Sequence, residues 1–264
     1  VLEVLEQCLA QGQDEWNAVK CAWIRQEPLW VFDLEGAFWA DLDTSADVNA
    51  AALALVRQLA KPRDGVVARL LNRRLSIPLS LWLTRTALTP NHITFLSFLL
   101  AVGGALSFAL GTWGGTVVGG LLAQASSILD GCDGEVARLR ASGSARGAWL
   151  DSVLDRWADA ALLGGMAYGF SRANAASWIW GLAFLALTGA YSISYTESRY
   201  KSAFGQALPH EGGLPAKRDV RLFLVMLGGL LNAVPVALAL IAVLSFAEVF
   251  RRLWRHGLST PLRR

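Results

Sequence analysis

Charge is scarce in this chain: 17% of its residues are Asp, Glu, Lys or Arg, 54% are hydrophobic, and the mean hydropathy is positive at +0.39. That balance excludes an ordinary soluble domain and indicates a membrane protein. The net charge of +3 is too small for a nucleic-acid binder, and there is no basic stripe with interleaved aromatics. Cysteine is sparse and scattered. Cys8, Cys21 and Cys132 form no pair spaced for a zinc site or a redox couple, so they read as inert thiols facing a reducing cytosol. His92, His210 and His256 likewise lack metal-site spacing and are read as incidental. No basic segment followed by a short apolar stretch opens the chain, so no signal peptide is expected, and a start at Val1 reads as that of a fragment. No internal repeat or low-complexity tract is present.

What the chain has in quantity is apolar length. Residues 93–111 run without a charge, enough to cross a hydrocarbon core about 30 Å thick. Further spans are expected at 113–135, 147–169, 176–199, 219–231 and 234–250. The fold class is therefore an all-α integral membrane protein with about six transmembrane helices. Lys and Arg cluster before the first span, after the second and fourth, before the fifth and after the sixth, which by the positive-inside rule puts both termini in the cytosol. Lys201, Lys217, Arg218 and Arg221 read as topological anchors of this kind. Gly111, Gly115 and Gly119 form a small-xxx-small series suited to close helix packing.

Composition divides the chain into a cytosolic segment (1–60), a juxtamembrane amphipathic region (61–90), the six-helix domain (91–252) and a basic cytosolic tail (253–264). In the juxtamembrane region Val66, Val67, Leu70 and Leu71 alternate with Arg69, Arg73 and Arg74, a pattern that lies along a membrane surface, with Pro78 expected to break the helix.

Carboxylates interrupt two of the apolar helices. Ionisable groups at membrane depth cost several kcal/mol and mark function. Asp130 and Asp133 are three apart, and Asp151 and Asp155 four apart, so each pair shares a helix face and two facing helices can present four carboxylates to one cavity. Such a set suits one or two hard cations such as magnesium, together with substrate phosphates. Gly134 permits close backbone approach, and Arg138 offers a bidentate guanidinium for a diphosphate. The pattern points to displacement at phosphorus at the cytosolic ends of the second and third spans.

The string Asp130-x2-Asp133-Gly134-x2-Ala137-Arg138-x8-Gly147-x3-Asp151-x3-Asp155 resembles the signature of the CDP-alcohol phosphotransferase family at all eight specified positions. Thr89-Pro90-Asn91-His92-Ile93-Thr94 is similar to the family's Pro-Asn-x-Ile-Thr opening. The resemblance implies that an acceptor hydroxyl attacks the β-phosphate of a CDP-alcohol and releases CMP. It also implies two magnesium or manganese ions on Asp130, Asp133, Asp151 and Asp155, with Asp155 as the base, and a homodimer in the cell membrane. Asn91, Thr94, Gly134, Ala137, Arg138, Ser144 and Gly147 are the implied nucleotide-binding residues. Arg199, at the end of the fourth span, resembles an arginine that holds the phosphate of an anionic acceptor in members using inositol phosphate.

A second resemblance lies in Trp39-x-Asp41-x-Asp43-Thr44-x2-Asp47, similar to the tail of a sugar-nucleotide transferase and implying a small cytosolic α/β remnant before the membrane domain. Nothing before Trp39 resembles the glycine-rich nucleotide loop such enzymes need. Together the two resemble fused family members in which one domain makes CDP-inositol and the other consumes it, with inositol 1-phosphate as acceptor. The alternatives are a phospholipid synthase using CDP-diacylglycerol with inositol phosphate, glycerol phosphate or serine and, from a different class, a cation transporter.

Overall fold

The computed structural model describes residues 2–10, 12, 20, 22–25, 39–58, 65–209 and 213–258. The chain divides into two units, Val1–Asp41 and Leu42–Arg264. In the first, helix α1 (Leu2–Ala10) is followed by a short helical stretch, and Cys8 is buried against Ala22 and Trp23. Within the expected α/β remnant, residues 2–10, 20, 22–25 and 45–58 are helical, and no strand occurs among its described residues. Cys21, His210, Arg63, most of the stretch before Trp39 and the last six residues of the basic tail lie outside the described residues.

The second unit opens with α2 (Ser45–Gln58), and the Thr44-x2-Asp47 pattern has a local cause there. The Thr44 backbone N–H and hydroxyl donate to Asp47 Oδ2 at 2.9 and 2.7 Å, and the Asp47 N–H donates back to Thr44 Oγ1 at 3.2 Å. This is a reciprocal cap. These bonds from Thr44 hold the exposed Asp47 carboxyl below its ordinary range.

A π-helical turn, Ala68–Asn72, then leads into α3 (Arg73–Leu83). Pro78 does not end this helix, contrary to expectation; it sits inside it. An interior proline removes one backbone bond. Here side-chain anchors hold the helix on both sides of it: Ser76 and Ser80 donate to the buried Glu135 carboxylate at 2.8 and 2.6 Å, and Arg73 pairs with the same group. Farther along, Arg140 gathers the carbonyls of Leu83, Thr84, Thr86 and Leu88 at 2.5–3.0 Å, satisfying the end of α3 and the turn after it.

Six helices follow: α4 (Pro90–Ala109), α5 (Trp113–Leu139), α6 (Ala145–Asn174), α7 (Ile179–Phe204), α8 (Arg218–Leu230) and α9 (Val234–Arg252). They fall on the six expected stretches, and no strand occurs among the described residues. Among the described residues, two segments, Pro90–Ala109 and Val234–His256, are long and apolar enough to cross a membrane. Thr89 begins α4 with a capping box shared with His92, so that histidine has a structural task.

Phe108, Leu162, Met166, Ile179, Leu238 and Ile241 centre the core, and helices approach closely where glycines allow it. Gly119 faces the backbone of Gly104 and the Phe108 ring, where an added Cβ would stand 2.8 and 2.6 Å away. Gly115 packs on Ser107, and Gly111, at φ +68°, both forms the turn between α4 and α5 and packs on Gly169, where an added Cβ would stand 2.8 Å from the Gly169 carbonyl oxygen. Gly165 and Gly169 set α6 directly on the backbone of α4 at Ala105 and Phe108. The α5/α6 pair is thereby fixed against α4, and α8 closes on α5 through Gly120 and Gly229.

Candidate active site

Helical periodicity turns the acids of α5 and α6 toward one another. One carboxylate oxygen from each of Asp130, Asp151 and Asp155 lies within 4.8 Å of the other two. Asp130 Oδ1 is buried and has no hydrogen-bond partner. A buried carboxylate oxygen without a donor fits a cation. Asp133 is oriented by Thr94, whose hydroxyl donates to Asp133 Oδ2 at 2.5 Å and to the Pro90 carbonyl at 3.1 Å.

Three cavities run in file along these acids. The first, about 390 Å³, is lined by Asn91, Thr94, Ala137, Ser144 and Gly147, with Asp133, Gly134 and Asp151 at its inner end. The second, about 260 Å³, shares Asp133, Gly134 and Asp151 with the first and adds Asp130, Arg138 and, from the segment before α4, Gly65, Ala68, Asn72, Arg73 and Ser76. The third, about 230 Å³, meets the second at Lys217 and Arg218 and contains Asp155, Arg156, Ser194, Glu197, Arg221 and Arg252. Every residue expected in the nucleotide and metal sites lines one of the three.

Two glycines have visible reasons. A Cβ on Gly134 would come within 3.2 Å of Arg138 Nη1, so this glycine lets the guanidinium lie back across its own helix. A Cβ on Gly147 would stand 3.0 Å from Asn91 Oδ1 and 3.1 Å from Ser144 Oγ, so glycine here lets α4 and α6 converge. Ser144 itself caps α6, accepting from the Gly147 N–H at 3.0 Å.

Arg199 is the exception. It is exposed on α7 and lines none of these cavities; Ser194 and Glu197, from the same helix, do. Arg156 Nη1 lies 3.8 Å from Asp155 Oδ2, and closer contacts to the motif acids come from α8, where sequence reading saw only anchors. Arg218 Nη1 bridges Asp155 Oδ1 at 2.7 Å and Asp130 Oδ2 at 3.0 Å. Arg221 is buried, donating to Asp159 Oδ2 at 2.8 Å and to the Ala216 carbonyl at 3.0 Å. Asp159 also takes Arg218 Nε at 3.3 Å. It continues the four-residue step from Asp151 and Asp155, and that continued spacing was the signal available in the sequence.

At the far side of the third cavity, the buried Glu248 collects Arg251, Arg252 and the Leu214 N–H, each at 2.8–3.0 Å. Arg252 reaches on to the Ile193 carbonyl at 2.9 Å, tying α9 to α7. Chemically, the assembly offers a carboxylate cluster for divalent metal, a polar cavity on one side of it and a cation-rich cavity on the other.

Residues 87–249 match the family model described as CDP-alcohol phosphatidyltransferase. A bifunctional IPC transferase and DIPP synthase of Rubrobacter xylanophilus is 41% identical over 253 residues, covering 96% of this chain and 56% of that one. The chain spans about half the length of the curated relatives it matches. Among solved structures, Mycobacterium tuberculosis phosphatidylinositol phosphate synthase with CDP-DAG bound superposes with a TM-score of 0.60 at 27% identity, covering 72% of this chain and 100% of that one. The same synthase in complex with manganese and citrate gives a TM-score of 0.57 at 26% identity, covering 71% and 93%.

Proposed function

The chain belongs to the CDP-alcohol phosphatidyltransferase family and is a CDP-alcohol phosphotransferase, and from that premise we propose that it transfers phosphoinositol from CDP-inositol to inositol 1-phosphate. The observation that carries this reading is the file of three cavities with carboxylates at the centre. Phosphoryl transfer places the attacking and leaving oxygens roughly in line on opposite sides of phosphorus. The first cavity then takes cytidine and the α-phosphate, the second the β-phosphate, and the third the acceptor.

In this reading the acceptor hydroxyl oxygen bonds to the β-phosphorus, the bond from that phosphorus to the bridging oxygen breaks, and CMP leaves with that oxygen. The hydroxyl proton goes to Asp155, the one motif acid that lines the acceptor cavity. Arg138 and Gly134 hold the diphosphate, while Asn91, Thr94, Ala137, Ser144 and Gly147 enclose the nucleotide. Asp130, Asp133, Asp151 and Asp155 would hold two magnesium or manganese ions, which when bound neutralise charge on the phosphoryl oxygens. The family's dependence on divalent metal and the manganese bound by the mycobacterial relative support that assignment.

An anionic acceptor is supported by the lining of the third cavity, where Arg156, Lys217, Arg218, Arg221 and Arg252 outnumber Asp155 and Glu197, although Arg221 is also paired with Asp159 and Arg252 with Glu248. The relatives named for IPC and DIPP chemistry support inositol as the alcohol. We place α4–α9 across the membrane as six spans of a homodimer. At 27 and 30 residues, α5 and α6 are roughly 40 and 45 Å long, so they exceed the hydrocarbon core and carry their acids toward the cytosol. The segment before α2 is the end of a cytidylyltransferase domain that supplies the donor.

A second reading, synthesis of a phospholipid from CDP-diacylglycerol, is favoured by the CDP-DAG bound to the mycobacterial relative. The test is CMP release with magnesium and inositol 1-phosphate, comparing CDP-inositol with CDP-diacylglycerol and using Asp155→Asn as the blank. Turnover of CDP-inositol supports the soluble donor; turnover of CDP-diacylglycerol alone overturns it.

A further inference from the structure

In an in-line displacement the group carried by the β-phosphorus cannot lie along the axis between acceptor and leaving group; it projects to the side. With the nucleotide in the first cavity and the acceptor in the third, the side wall of the second cavity is what the donor's alcohol arm meets. That wall is the juxtamembrane segment, which supplies Gly65, Ala68, Asn72, Arg73 and Ser76. Asp219 on α8 joins it from across the cavity, its Oδ2 accepting from the Ala68 N–H at 2.8 Å.

The chemistry of this wall is one-sided. Among the described residues lining the cavity, none is aromatic or a branched aliphatic. Instead a polar chain runs along it. Gln124 Nε2 donates to Asn72 Oδ1 at 2.7 Å, and Asn72 Nδ2 donates to Ser127 Oγ at 3.0 Å. All three side chains are at least nine-tenths buried, and Asn72 and Ser127 line the cavity. A serine hydroxyl that accepts one bond retains its own proton to donate, and an amide nitrogen has a second N–H. Buried polar groups without an apolar surface beside them form a poor path for hydrocarbon chains and a good one for hydroxyls.

We infer that Asn72 and Ser127 are the determinants that select a polyhydroxylated, water-soluble alcohol arm on the CDP donor, holding its hydroxyls against the juxtamembrane wall. This assignment rests on the donor reading above and names the residues that enforce it. A site built to bond substrate hydroxyls discriminates strongly against an arm that lacks them.

The experiment measures CMP release with magnesium and a fixed concentration of inositol 1-phosphate. The donors are CDP-inositol, CDP-glycerol and CDP-diacylglycerol, tested on wild type, Ser127→Ala, Ser127→Thr and Asn72→Ser. Calorimetric CMP affinity reports folding and the nucleotide cavity. Ser127→Ala and Asn72→Ser are each expected to raise the KM for CDP-inositol about tenfold, the loss of one hydrogen bond. The shorter CDP-glycerol should change by less than about threefold, Ser127→Thr should restore the wild-type value, and CMP affinity should hold. Equal losses on both soluble donors, or no loss on CDP-inositol, overturn this subsite while wild-type turnover of CDP-inositol leaves the donor standing. Wild-type turnover of CDP-diacylglycerol alone overturns the donor reading and the subsite with it.

Discussion

The segment from Asp130 to Asp155 and the start of α8 at Lys217–Arg221 line the same cavities, yet only the first could be read in advance. In the first, the carboxylate cluster is encoded by spacing within two adjacent helices: steps of three and four put the acids on one face each, and a short turn brings the faces together. In the second, Arg218 and Arg221 take their meaning from carboxylates about sixty to ninety positions away. Local periodicity is legible, whereas pairing across the bundle is not. A basic residue at a helix end looks the same whether it anchors topology or enters a site.

The sharpest way to test the legible half is Asp155→Asn. It should lower kcat about 10³-fold, the usual worth of a general base, while calorimetric affinity for the CDP-alcohol stays within about threefold. Asp133→Asn should instead weaken metal and CMP affinity together, because Asp133 stands between the first two cavities and is oriented by Thr94. Equal loss of binding in both variants would contradict the division of roles.

The unread half is tested by Arg218→Ala. Arg218 contacts Asp130, Asp155 and Asp159, so its removal should cost about 10²-fold in kcat/KM, chiefly through a raised acceptor KM. Arg218→Lys should recover only part, since an ammonium cannot reach three carboxylates in a planar fork. A change of less than about twofold in the alanine variant would return Arg218 to the role of topological anchor.

Helix α3 and the turn before it show how far pattern reading extends. Their amphipathic alternation and place before α4 were evident, but Pro78 was read as a break because the rule concerns backbone bonds alone. The position of α3 is held by Glu135, only two residues after Asp133 yet on a different face of α5, binding Arg73, Ser76 and Ser80. No spacing rule links residue 135 to residues 73–80. Removing one partner of such a buried pair costs about 3 kcal/mol or more, so Glu135→Leu should lower the unfolding midpoint in detergent. The double variant Glu135→Leu/Arg73→Met should recover much of that loss. Additive losses would show that the two groups are not coupled.

The smallest expected effect concerns the one site residue that resemblance supplied and geometry did not support. Arg199 is exposed on α7, while Glu197 and Ser194 from the same helix line the acceptor cavity. Positions two apart on a helix point about 200° from one another, so Arg199 and Glu197 cannot both face that cavity in one helical register. Arg199→Ala should therefore change the acceptor KM by less than about twofold, well below the Arg218→Ala effect. A raised acceptor KM of about tenfold with an unchanged donor KM would mean that the last turn of α7 rewinds when the acceptor binds.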